Sequence, residues 1–223
     1  MNTRFTFALI CVAAFAAVLA ISAGPAGAAM VSVSTAAPTV DATDEANLGA
    51  QAGTLKWFDD IEHDAGQTFT PSADLTLKSF TVRLGQGNAG DANPDEFLNL
   101  RLGTVTGSGD SFTFTDIYAE EAHWTMDWAA GDYITFTLDT PQAVTSGTQY
   151  GVILDAQRFG SWSVGIPYLS QTGNTYAGGA MINRGGSDGT NDLAFHADLV
   201  PEPATLALLG IGGLVALRRR RTA

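Results

Sequence analysis

From Thr54 to Leu199 the chain repeats one arrangement: short runs with an apolar residue at every second position, cut by Gly, Asn, Asp and Pro. A period of two is the period of a β-strand, whose successive side chains point to opposite faces. In YITFTL, Ile134, Phe136 and Leu138 share one face, while Thr135 and Thr137 take the other. Further candidate strands are TLKWF, QTFT, LTLKSFTVRL, FLNLRLGTV, SFTFTDIYA, HWTMDW, QYGVILDA, SWSVGI, TYAGGAMI and LAFHADL. Their close, turn-punctuated spacing is that of an all-β sandwich or barrel. Turn signals are strongest at Gly85–Pro94, Gly107–Asp110 and Gly185–Asn191. No long stretch of this body has a helical period. The expectation is a single β-sandwich over residues 53–199, preceded by a leader or frayed first strand at 30–52.

One strand breaks its own pattern. Leu75 and Leu77 are in one phase, and Phe80, Val82 and Leu84 are in the opposite one. A regular strand cannot bury both sets on one face. An extra residue near Lys78-Ser79, a β-bulge or a bend, is therefore predicted.

The two ends do not belong to this pattern. Arg4 precedes an apolar run from Phe7 to Ile21, followed by small residues and the A-x-A sequence Ala26-Gly27-Ala28. That is the order of a secretory signal peptide, expected over residues 1–29 with cleavage after Ala28 or Ala29. Cys11 is the only cysteine and lies inside it, so the mature chain has no thiol and no disulfide. Between Met30 and Val200 there are 6 basic residues and 22 acidic ones (23 less Glu202), a net charge of 6 − 22 = −16. This balance argues against nucleic acid and anionic membrane surfaces as partners.

At the other end, Val200 and Glu202 each precede a proline and are biased toward extended backbone. Pro201 and Pro203 cannot donate to a ladder. VPEP should therefore end the last strand as an extended, unpaired segment. Ala204–Leu217 follows without a charge. As a helix it would be about 21 Å long, a short membrane span. Arg218, Arg219, Arg220 and Arg221 would stop it on the cytoplasmic side and leave the body outside.

VPEPATLALLGIGGLVALRRRR resembles the PEP-CTERM sorting signal: a Pro-Glu-Pro motif, a short transmembrane segment and an arginine cluster, spanning residues 200–223 here. The resemblance implies an exported substrate of exosortase, recognised at Val200, Pro201, Glu202 and Pro203, cut nearby, and held only transiently in the inner membrane. The body, in stretches such as GQTFTPSADLTLKSFTVRL and DLAFHADL, is similar to jelly-roll domains that precede such tails. Those domains are related in style to carbohydrate-binding sandwiches. The resemblance implies a cell-surface or extracellular-matrix protein, with exopolysaccharide as a candidate partner.

Chemistry in the body is sparse. His63, His123 and His196 fall in unrelated segments without zinc spacing. Glu120 and Glu121 are adjacent on a strand and must face opposite sides, so they cannot form a glycosidase pair by themselves. No G-x-S-x-G elbow occurs. GDANPDE begins like an EF-hand loop at Asp91, Asn93 and Asp95, but Glu96 stands where Gly is needed and Leu102 where the closing Glu is needed. An irregular Ca²⁺ site there, or at Asp188 and Asp192, competes with ordinary turn chemistry. Trp124 and Trp128 would share a strand face, where they could stack on sugar or simply be core. No cofactor is expected apart from that Ca²⁺ reading. The role expected is non-enzymatic, with a carbohydrate-binding module as the alternative and a glycoside hydrolase behind it.

Overall fold

The computed structural model describes residues 27–56, 64–86, 97–123, 128–155, 168–183 and 186–201. Residues 1–26 of the expected signal peptide, the apolar tail and the segments holding TLKWF's end and SWSVGI lie outside these residues.

The described chain is nearly all β. Its strands are β1 (Met30–Ser34), β2 (Glu45–Asn47), β3 (Gly53–Lys56), β4 (Asp64–Phe69), β5 (Leu75–Gln86), β6 (Phe97–Thr106), β7 (Thr113–His123), β8 (Tyr133–Val144), β9 (Tyr150–Asp155), β10 (Tyr168–Gly173), β11 (Met181–Asn183), β12 (Gly186–Asp188), β13 (Asp192–Leu193) and β14 (Phe195–Pro201). One sheet runs β12-β11-β4-β9-β6-β7. The other runs β1-β8-β5-β10-β13, with β14 between β5 and β2, and β3 on β10. All the strand pairs within these sheets are antiparallel. The chain crosses repeatedly from one sheet to the other, and the two share one hydrophobic core, the arrangement of a β-sandwich.

Alternation places that core. Ile134, Phe136 and Leu138 of β8 are buried in it, while Thr135 and Thr137 are only half-buried. On the outer face Thr81 and Thr135, directly opposed, join hydroxyls at 2.9 Å. Phe80, Phe136 and Phe195 are fully buried, each stabilising by about 1.5–3 kcal/mol relative to exposure.

The phase change in β5 is a bulge. Leu77 pairs with Leu199 of β14 and Ser79 with Asp198, so Lys78 is an extra residue. Against β8 the register shifts at the same place. Lys78 is exposed, and Leu75, Leu77, Phe80, Val82 and Leu84 all join the same core.

Of the two readings of residues 30–52, a leader or a frayed first strand, the structure shows strands. Val31 is 7% exposed and β1 pairs with the first half of β8, Tyr133 to Thr137, while β2 borders β14. An edge of each strand needed backbone partners, and this segment supplies them. TYAGGAMI is a strand only from Met181, because Thr175–Ala180 turns to meet β4. PYLSQTG holds a strand, β10, that polar composition conceals: Ser170 and Thr172 are buried beside Leu169.

Candidate functional site

The site of interest begins in β14. Its first half pairs with β5 on one side and β2 on the other. Beyond Ala197 the β2 side is taken over by one carboxylate. Asp44 accepts the N–H of Leu199 at 2.9 Å through Oδ1. Its Oδ2 accepts the N–H of Asp41 at 2.7 Å and meets Nε2 of His196 at 2.9 Å. A carboxylate only accepts, so Nε2 carries the proton. The Thr43 hydroxyl donates to the Leu199 carbonyl at 2.7 Å. The Asp44 side chain is 3% exposed and that of His196 6%. Burial pushes the Asp44 carboxyl up, but the bonds from His196, Asp41 and Leu199 outweigh it and hold it below the ordinary carboxylate value.

This clasp corrects the reading of VPEP as unpaired. Val200 pairs with Thr76 and Pro201 with Leu75, so β14 runs through the first proline. The reason is geometric. Residues two apart on a strand send their N–H groups to the same side, and the Leu199 N–H points away from β5 to Asp44. Position 201 therefore turns its nitrogen away from β5 too, and a proline there removes no ladder bond. Pro201 is exposed. Glu202, Pro203 and Arg218–Arg221 lie outside the described residues.

The oxygen-rich turns are occupied by their own chain. Asp188 accepts the Thr190 N–H and hydroxyl on Oδ1 and the Asn191 amide on Oδ2. Burial opposes these bonds, yet they hold its carboxyl below the ordinary value. Asp192 is fully buried, accepting the N–H groups of Thr175 and Tyr176 at 2.8 Å and the Gln67 amide at 3.1 Å. Gln67 in turn accepts the Leu193 N–H at 2.9 Å, so this network ties β4 of one sheet to β13 of the other. The structure does not bring Asp188 and Asp192 into a common ligand set, and no group of three or more metal-ligating side chains occurs among the described residues. Asp91, Asn93 and Asp95 lie outside them.

The aromatic platform is corrected as well. Trp128 is 3% exposed and belongs to the core, which removes it from any sugar-stacking surface. Trp124 lies outside the described residues. Glu120 is buried and Glu121 exposed, on opposite faces of β7.

Sequence reading passed over one cavity. A cleft of about 460 Å³ opens at one end of the six-stranded sheet. Thr68, Thr70, Ser108, Phe112, Gln149 and Ser187 are among its lining residues, and no described lining residue carries a charge. Its floor is tight. Thr68 exchanges bonds with the backbone of Ala180 at 2.7 and 3.1 Å, and a Cβ at Gly179 would run into the Thr68 carbonyl. The lining comes from five separate segments, so no local signature marked it.

The fold is an antiparallel two-sheet domain whose last described strand ends at Pro201. The PEP-CTERM protein-sorting motif matches residues 199–221. It begins at Leu199, the residue whose N–H and carbonyl are both held by the clasp. The motif implies an exported protein targeted by exosortase. No curated protein matches the chain.

Proposed function

We propose that the protein is a non-enzymatic component of the cell surface or extracellular matrix, carried there as a jelly-roll-type sandwich and released from the inner membrane by exosortase cleavage near Pro201-Glu202-Pro203. The single observation that carries this reading is the sorting-motif match at residues 199–221. The fold is consistent with it, since the last described strand, β14, runs to Pro201 within the matched motif. In this reading Ala204–Leu217 is a transient span and Arg218–Arg221 its cytoplasmic stop. The test is the C-terminal peptide of the protein from its host, mapped by mass spectrometry with and without a working exosortase. Loss of the segment after the VPEP region only when exosortase works is the expected result. An intact RRRRTA end in both strains overturns the reading and leaves a plain membrane anchor.

A second reading, a carbohydrate-binding module, is favoured by the cleft. In so acidic a body, a neutral cleft lined by hydroxyls, an amide and one half-buried ring suits an uncharged polyol such as a saccharide. Calorimetric titration with oligosaccharides from the host's exopolysaccharide tests it. Phe112→Ala and Gln149→Ala should each weaken binding about tenfold, a hot-spot effect of about 1.4 kcal/mol. No heat with any fragment removes this reading and leaves the first standing.

A further inference from the structure

The strongest unexplained feature lies where the chain enters the sandwich. Glu120 is 4% exposed. Its Oε2 accepts the Tyr118 hydroxyl at 3.0 Å and the Asp139 N–H at 3.2 Å. Its Oε1 is buried with no hydrogen-bond partner among the described residues. A buried carboxylate oxygen left bare is costly, and native structures rarely keep one without reason. The Asp139 carboxylate sits beside the same point, where Oδ2 accepts the Gly27 N–H at 3.2 Å. No cation pairs with Glu120 or Asp139 among the described residues.

The segment that reaches these acids is the junction of the leader with β1. Ala29 is 5% exposed, bridges Ala122 across the sheet boundary, and donates its N–H to the Glu121 carbonyl at 2.7 Å. By the β1–β8 register, in which Met30 faces Thr137, residues 28 and 29 run alongside Asp139 and Leu138. The A-x-A sequence Ala26-Gly27-Ala28 puts a cleavage point immediately before Ala29. Water added across the Ala28–Ala29 amide leaves a carboxylate on Ala28 and an α-ammonium on Ala29. That cut also removes Gly27 and frees the Asp139 oxygen it held.

We propose that the α-ammonium created at Ala29 by signal-peptide removal is the missing cation of this site, seated by the Glu121 carbonyl and the Glu120 and Asp139 carboxylates. An ammonium has three donors where the amide had one. One keeps the Glu121 carbonyl, and the others meet the two acids. The mature N-terminus then locks β1 onto β8 and bridges the two sheets through β7. The precursor, whose Ala29 nitrogen is a neutral amide, lacks this lock.

The inference rests on the export reading, but its test is separate from the C-terminal one. The exported protein is purified from its host, its first residue is read by mass spectrometry, and its amines are acetylated with a limiting reagent at neutral pH. A free α-amine is less basic than lysine and reacts first in an unfolded chain. In the folded protein the Ala29 amine should instead react about tenfold more slowly than exposed Lys78, and Glu120→Gln should restore fast labelling. Asp139→Asn provides the second variant should Glu120→Gln not be exported. A mature chain starting elsewhere than Ala29, or an Ala29 amine labelled as readily as Lys78, overturns the proposal. An uncut C-terminus with a protected Ala29 amine overturns the exosortase reading alone.

Discussion

Asp44 and Glu120 both carry carboxylates shielded from water, one beside the last described strand and one beside the first, and the protein treats them in opposite ways. Asp44 receives three donors, from His196, Asp41 and Leu199, and its carboxyl is held down. Glu120 receives two donors, both on one oxygen, and its carboxyl is pushed up, by burial first and by neighbouring Asp139 as well. Burial raises both carboxyls, so the donors and the charge beside each, His196 at Asp44 and Asp139 at Glu120, decide the sign. The exit of the chain is a finished site, while the entrance has an acceptor still waiting.

The largest effect should come from breaking the finished site. Asp44→Ala strands the buried Leu199 N–H and His196 Nε2, and also removes the exposed Asp41 N–H bond, and should cost about 3 kcal/mol in urea unfolding. Amide exchange at Leu199 should quicken with it.

Titration then sharpens the contrast. The Asp44 carboxyl lies below its ordinary value of 3.8 in the folded protein. Its contribution is therefore present above that value and lost as pH falls through the folded one. The stability gap between the parent and Asp44→Asn should close under acid unfolding. Glu120 runs the other way. Its folded carboxyl lies above 4.5, so stability present below 4.5 is lost as pH rises through the folded value. In a chain that still carries Gly27 and Ala28, Glu120→Gln should flatten that loss, read from urea midpoints across the acid range.

The smallest effect concerns a site between these extremes. The Tyr176 hydroxyl donates to Glu45 at 2.6 Å, and burial first, then Glu45, raises the phenol's pKa. Burial likewise raises Glu45, against the lowering effect of that bond. Tyr176→Phe should cost about 1 kcal/mol, since Glu45 keeps partial access to water. A loss as large as that of Asp44→Ala would show that donors and neighbouring charge are not what separates the two ends.

Much of the frame was legible because it follows from period. The bulge at Lys78 could be read from a phase change within ten residues, and the face of β8 from three alternating side chains. β10 was hidden because Ser170 and Thr172 look solvent-facing until neighbouring strands cover them. Trp128 looked like a platform residue because an aromatic side chain reads the same in a core as on a surface. The clasp was invisible because Asp44 and His196 stand 152 residues apart.

The sequence by itself determined the strand period, the acidic body and the sorting motif. Each of these is carried by residues close together in the chain, where spacing, charge and proline chemistry act locally. Only the tertiary structure decided that residues 30–47 complete the sheets, that the last strand runs on through Pro201, and that Asp44 is satisfied while Glu120 is not. Those outcomes depend on which backbone edges and buried oxygens meet across the fold, and a hydrogen bond has no signature in the chain until its two ends are brought within about 3 Å.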